Sequence, residues 1–411
     1  MANSDSHRHG LNRRKFFRAG GLLAAAGIAL PVTRLFSGER VTLPFANGER
    51  QLVQYPQKRP LILLTSRPPQ LETPFSIFNE GVITPNDAFF VRYHLADIPL
   101  SIDPDTFRLE IKGLVNSPLN LSLADLRKFE PVELVAVCQC SGNSRGFSQP
   151  RVAGGQLGNG AMGNAKWRGV RLKDVLAKAG VKATARQVTF NGLDRPVAEK
   201  TPDFVKSLEL DHALDGEVML AYEMNGVPLP MLNGFPLRLV VPGYFGTYWV
   251  KHVNEINLIH EVLNTFWMNP AYRIPDNDCG FVEPGTTPSK TTPITRLNVR
   301  SFITNLKEGV SVKANEPISL KGIAFDGGRG IREVLYSING GGDWRPAKLG
   351  NDLGKYSFRQ WESIPVRLEA GKHELKVRAV NRVGESQPLD PLWNPAGYMR
   401  NVVETLRVES V

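Results

Sequence analysis

Cysteine is scarce in this chain: three residues in 411, with only Cys138 and Cys140 close together. A disulfide framework is therefore not what holds the fold. Structural zinc sites use two pairs of ligands, each spaced by two to four residues, and only Cys279 remains beyond the pair, so that chemistry is disfavoured too. Charge of one sign is also lacking. The formal net charge is +10, but seven basic and two acidic residues fall within residues 1–40, leaving 43 basic against 38 acidic side chains elsewhere. Such a mixed, mildly basic surface does not read as a nucleic-acid-binding face. No apolar run reaches the roughly 20 residues that a membrane-spanning helix needs. What remains is an ordinary globular composition, 42% hydrophobic, in a chain long enough for two or more domains.

The excess positive charge has a local origin. NRRKFFRAGGLLAAAGIAL, Asn12 to Leu30, sets a basic run before about a dozen small and apolar residues, which is the shape of an export signal. The pair Arg13-Arg14 followed by Phe16 and Phe17 resembles the twin-arginine signal. Twin-arginine export carries folded proteins, so a periplasmic address and a cofactor loaded before export are expected, with no stable membrane span afterwards. The signal region is placed at 1–40 and a first folded domain at 41–285. Residues 40–80 are rich in proline and read as an extended strap over that domain.

Within the first domain, Phe107 to Val115 alternates like a strand and Leu121 to Phe129 has helical spacing behind a Ser122 cap. Glu133 to Cys140 is an apolar β-rich run, and Gly169 to Gly180 is an amphipathic helix closed by glycine. These signals predict a mixed α+β domain. After the Pro/Thr/Gly linker EPGTTPSKTTP, period-two segments separated by glycine turns predict an all-β, immunoglobulin-like sandwich over 286–411.

The cysteine pair sits where the apolar strand meets a polar turn, VAVCQCSGNSRG. Residues two apart on a strand have Cα atoms ~6.6 Å apart and parallel Cβ directions, a poor disulfide. Cys138 reads as a small apolar residue holding the strand in the core. Cys140 opens into Ser141-Gly142-Asn143-Ser144-Arg145, where a nearby arginine favours the thiolate, and thiolate is the soft ligand that a redox metal takes.

QCSGNSR resembles the molybdenum-ligand motif of the sulfite oxidase family. Further segments agree in order: ITPNDAFFVRYH from Ile83, GLD from Gly192, LAYEMNGVPLP from Leu220 and GFPLRLVVPGYFGTYWVKH from Gly234. The resemblance runs from about residue 80 to the C-terminus, and it implies a molybdopterin-binding catalytic domain followed by a dimerisation sandwich. It implies Cys140 as the protein ligand to molybdenum in a molybdenum-molybdopterin cofactor. It places Phe90, Val91, Arg92, Tyr93, His94, Asp194, Asn233, Arg238, Trp249, Val250 and Lys251 on cofactor-binding positions. Arg92 and Arg145 match the cations that hold an oxyanion substrate, and Tyr272 matches the family's active-site tyrosine.

Three departures stand out. Asn233 occupies a position where animal members carry histidine, Leu157 replaces a pocket tryptophan, and only Thr405 or Arg407 align near a C-terminal substrate arginine. No C-x-x-C-H haem attachment occurs and no cytochrome b5-sized segment precedes the first domain, so electrons are expected to pass to an external acceptor, a c-type cytochrome. The expected activity is oxidation of sulfite to sulfate by a homodimer. A molybdopterin-dependent reductase of nitrate or a sulfoxide is the alternative enzyme, and a non-catalytic periplasmic binding protein of the same fold is the alternative of another class.

Overall fold

The computed structural model describes residues 36–411, so the twin-arginine segment lies outside the described residues. The proline-rich stretch after it is paired rather than a free strap. Strands β1 (Phe36–Thr42), β2 (Glu49–Val53), β3 (Leu61–Ser66), β4 (Pro69–Glu72) and β5 (Val91–Arg92) lie in that order in one antiparallel sheet. Its prolines stand outside the ladders, as Pro56 and Pro68 do, or at a strand's first residue, as Pro69 does, where the missing N–H is tolerated. Proline composition marked the turns and hid the short strands between them.

The catalytic-domain candidate continues with β6 (Leu109–Gly113), β7 (Leu119–Leu121), β8 (Pro131–Gln139), β9 (Met162–Arg171) and β10 (Gln187–Asn191). It closes with β11 (Lys206–Glu209), β12 (Met219–Met224), β13 (Val227–Pro228), β14 (Arg238–Val240) and β15 (Glu255–Ile259). One sheet runs β11-β10-β15-β6-β7; a second runs β13-β12-β9-β8, with β14 also on β12. Among the described residues α-helices are few: α1 (Leu123–Leu126), α2 (Leu172–Ala179) and α3 (Leu210–Leu214).

Local sequence explains the boundaries. Ser122 and Asp125 close a capping box on α1, and α2 stops at Gly180, whose φ of +71° suits a residue without a Cβ. Gly169 to Arg171, read as helix, end β9 instead, because they pair with Met219 to Ala221 of β12. The apolar run of β8 faces β9 in register from Pro131↔Val170 to Gln139↔Met162. It delivers Cys140 just beyond its end.

Trp167 on β9 is fully buried at the centre of the main core. Its ring meets Phe89 at 5.9 Å and Trp249 at 5.5 Å, both edge-on, and its indole N–H donates to the Ala136 carbonyl at 3.1 Å.

Residues beyond 290 form the expected sandwich. A four-stranded sheet holds Arg300–Ile303 and Lys321–Phe325; a five-stranded sheet holds Ile331–Ser337, Gly371–Asn381 and Thr405–Ser410. Leu375, Val377 and Ala379 all point into its core, as their alternation requires. A further cluster joins Val137 and Met162 to Phe302, Phe325 and Phe358. The sandwich therefore packs directly behind β8 and β9. Arg300 reaches across to donate to the Ser144 hydroxyl at 3.0 Å, in the turn that follows Cys140.

Replacing Trp167 tests this core. Trp167→Ala is expected to lower unfolding free energy by about 4 kcal/mol, as for other large-to-small core changes, measured by urea unfolding.

Candidate active site

Five chain segments, one of them the stretch between β10 and β11 that carries Asp194 and Phe204, line a cleft. The first is the end of β8. The Cys140 N–H donates to Ala161 at 2.9 Å, the Cys140 carbonyl accepts from Asn143 N–H at 3.0 Å, and the Asn143 side-chain oxygen accepts from Ala161 N–H at 3.0 Å. The turn is thus closed by its own asparagine. The loop opposite is braced by buried Glu72, whose carboxylate accepts the N–H groups of Gly158 and Gly160 at 3.0 and 3.3 Å. Cys140 is 8% exposed and, like Cys138, free of any disulfide.

Cys138 is buried in the main core, as its sequence context predicts, and it has a second place as well. Period two puts it on the same face as Cys140, and it lines the cleft with its sulfur 3.5 Å from the Arg238 guanidinium. Burial pushes its thiol up to about 11 against the pull of Arg238 and Lys251.

The second segment, β14 and the loop after it, carries the positive charge. Arg238 donates to the Asn233 carbonyl at 2.8 Å and lies 5.3 and 5.7 Å from the rings of Trp167 and Trp249. Lys251 donates to the Arg92 carbonyl and sits 4.2 Å from the centre of the Tyr93 ring. Burial, reinforced by the Arg238 charge, lowers Lys251 well below the usual lysine range. Asp194, beyond β10, is pushed up by burial and pulled back by Lys251. Gly246 stands where a Cβ would come 3.0 Å from the Cys138 sulfur, so the wall there is bare backbone.

The third segment is β5 and its continuation, and the fourth is the chain after β15. The Tyr272 hydroxyl bonds His94 Nε2 at 2.5 Å. Burial holds His94 well below its ordinary value, with Arg92, Lys251 and Lys206 adding to the effect, so the imidazole is neutral. His94 stacks on Phe204 at 3.7 Å and meets Trp267 edge-on at 4.9 Å. Burial raises the Tyr272 phenol far above its usual range, against Arg92 and Arg145.

Three polar atoms of the lining are buried without a partner: Ser141 Oγ, Thr247 Oγ1 and Arg238 Nε. Buried polar groups are nearly always hydrogen-bonded, and here they face a cleft rich in cations. The donor set suits a polar, anionic organic group with a soft metal: a thiol, guanidinium and ammonium groups, and free hydroxyls. Among the described residues no three His, Cys, Asp or Glu side chains converge as a ligand set, so Cys140 would need ligands from that organic group.

Comparison with known proteins agrees. Residues 95–267 match the family model for the oxidoreductase molybdopterin binding domain, and residues 291–410 that for the Mo-co oxidoreductase dimerisation domain. Sulfite oxidase of Arabidopsis thaliana is 31% identical over 381 residues, covering 87% of this chain and 96% of that one. The chain belongs to the sulfite oxidase family. Mitochondrial sulfite oxidase of Macaca fascicularis is 37% identical over 372 residues, or 86% of this chain; the match spans 66% of the macaque protein. Among solved structures, the sulfane dehydrogenase SoxCD of Paracoccus pantotrophus superposes with a TM-score of 0.73 at 24% identity, over 97% of both chains. That likeness concerns the fold.

With the family in hand, the sequence-predicted residues can be placed. Phe90, Arg92, Tyr93, His94 and Cys140 line the cleft, as do Asp194, Arg238, Trp249, Lys251 and Tyr272. The side chains of Val91 and Val250 pack in the core, which leaves their backbone groups for the cofactor-binding role expected of those positions. Asn233 lies behind the wall: its side-chain oxygen accepts from Lys58 at 2.5 Å and its side-chain amide donates to the Phe90 carbonyl at 3.1 Å. Arg145 turns its guanidinium to the Ala396 carbonyl at 2.9 Å and the Tyr398 ring at 4.8 Å, and Tyr398 stacks on Tyr272 at 5.4 Å. Leu157 is core. Thr405 and Arg407 lie on the sandwich's Thr405–Ser410 strand, where exposed Arg407 pairs with Glu308 and Glu374.

The sequence reading missed Cys138, Ser141, Gly246 and Thr247, all inside quoted motifs, and Phe204 and Lys206, which no motif marked.

Buried lysines give the cofactor-free protein a predictable pH response. Burial holds Lys58 and Lys206 down at about 7, against 10.5 when free. Between those values the unfolded chain binds more protons than the folded one, so stability rises with pH there; it is lost as pH falls from 10.5 toward 7, and these two groups take away no more below that. The melting temperature is expected to climb between pH 7 and about 9.5, and Lys58→Met should flatten the climb.

Proposed function

We propose that this protein oxidises sulfite to sulfate at a molybdopterin centre and hands the electrons to a separate acceptor. The observation that carries the reading is the single cleft in which Cys140 shares one wall system with the cations Arg92, Arg238 and Lys251 and with the Tyr272–His94 pair. The balance is sulfite plus water giving sulfate, two protons and two electrons. Bound molybdopterin would supply the oxygen-atom transfer and accept the electrons.

The chain's own residues do the rest. Cys140 would hold the metal. Arg238 and Lys251 would neutralise the anionic cofactor, and the unpartnered Thr247 and Ser141 hydroxyls would be free to hydrogen-bond it. Asp194 would balance part of the lysine and arginine charge. Arg92 draws the sulfite oxyanion inward, as a guanidinium in a desolvated site does with a developing anion. Tyr272 keeps its proton on the phenol oxygen and directs it to His94 Nε2. Phe204 and Trp267, packed on His94, exclude water from the pair. Arg145 acts on Tyr272 through its field, across Tyr398.

Residues 41–285 carry this chemistry in our reading, and 286–411 make the homodimer contact. A periplasmic address by the twin-arginine route and a c-type cytochrome acceptor complete it, in keeping with the Arg13-Arg14 signal. Among the described residues no helix is long and apolar enough to cross a membrane. Nitrate reduction is the second reading, because the nitrate reductase of Hordeum vulgare is 31% identical over 83% of this chain.

The deciding assay is sulfite-dependent reduction of ferricyanide and cytochrome c. Wild type is expected to turn over and Cys140→Ser to lose activity by at least about a thousandfold, the scale on which loss of a transition-state contact acts. A wild type that consumes nitrate with a reduced dye and ignores sulfite selects the second reading.

A further inference from the structure

Lys206 begins β11, is 1% exposed, and forms no ion pair with a carboxylate among the described residues. Its ammonium donates to the Trp267 carbonyl at 2.6 Å and lies 4.7 Å from the Tyr248 ring centre and 5.0 Å from that of Tyr272. A desolvated cation without a counter-charge weakens a fold, and contact with aromatic faces recovers only part of that loss. An unbranched apolar side chain would fill the same space with less penalty. Packing alone therefore does not account for an ammonium at this place.

Its neighbours do. Phe204, two residues earlier, supplies the ring on which His94 stacks, and Trp267, whose carbonyl Lys206 holds, meets both His94 and Phe204 edge-on. Tyr272 sits at φ +59°, a left-handed conformation that a bulky residue keeps only when its surroundings enforce it. Lys206 touches both ends of the segment from Trp267 to Tyr272.

We propose that Lys206 is a positioning residue for the reaction: its charge clamps the Tyr272 ring and the Trp267 carbonyl so that the phenol O–H stays aimed at His94 Nε2. The ammonium also adds to the positive field that keeps His94 neutral and able to accept that bond. The proposal rests on the reading of this cleft as catalytic.

The test uses the full-length, molybdenum-loaded protein and the variants Lys206→Met and Lys206→Gln, assayed at about pH 6, where a side chain that titrates at about 7 carries its charge. Both are expected to keep their molybdenum and to melt at or above the wild-type temperature, because a lone buried charge is gone. Their kcat with sulfite is expected to fall about tenfold with KM nearly unchanged. Gln retains a donor for Trp267 but not the charge, so its falling with Met assigns the effect to charge. Wild-type kcat in either variant overturns the clamp, as does a loss of activity that merely tracks lost molybdenum or a lower melting temperature. A substrate-independent arm accompanies this: in protein labelled with 15N-histidine, the His94 Nε2 resonance should shift toward that of a free imidazole in Lys206→Met. An unshifted resonance overturns the clamp whatever the substrate, whereas a wild type idle with sulfite counts against the sulfite reading alone.

Discussion

Arg238 is a guanidinium sealed inside the molecule with one carbonyl, one thiol and two indole rings as neighbours, and with its Nε unpartnered. An ion so placed costs several kcal/mol unless a counter-charge meets it. Asp194 is the only carboxylate in the cleft lining of the described residues, and it also faces Lys251. The positive charge of Arg92, Arg238 and Lys251 exceeds what one carboxylate answers. An anionic occupant completes this site, and the architecture around it is what keeps the cations in place without one.

That architecture is a sequence of supports. Trp167 and Trp249 flank Arg238, β14 is fixed by β12, and β9 carries Trp167 while pairing with the strand that presents both cysteines. Lys58 ties Asn233 to the carbonyls of Asn86 and Phe89, so the segment bearing Arg92 is held from behind. The sandwich enters the same network. Arg300 bonds Ser144 in the Cys140 turn, and the Tyr356 carbonyl accepts from Val137 N–H in β8. A domain whose own sheets hold no candidate site residue therefore still sets the stiffness of the cysteine turn.

Much of this was legible in the sequence because short motifs carry both backbone and chemistry. The apolar run ending at Cys140 announced a strand delivering a thiol to a polar turn, and period two already implied that Cys138 shares its face, although Cys138 was read as plain core. The sandwich followed from alternation such as that at Leu375, Val377 and Ala379. What stayed hidden depends on long-range packing. The small sheet from Phe36 to Arg92 was hidden by the prolines and turns between its strands, which made the stretch read as an extended strap. Asn233 stands just before the motif that carries Arg238, yet it ends a short turn and its side chain meets Lys58. Phe204 and Lys206 lie far in sequence from His94 and Tyr272, and only the pairing of β10 with β11 brings them beneath that pair.

The central claim is that the cleft is built for molybdopterin held through one thiol and answered by buried cations. The most direct measurement is elemental analysis of the full-length protein purified from molybdate-fed, export-competent cells, beside Cys140→Ser and Arg238→Met. The account predicts about one molybdenum per chain in the wild type, with the metal lost or much reduced in both variants. A wild type that is folded but free of molybdenum, or an Arg238→Met protein that keeps its full complement, would contradict it.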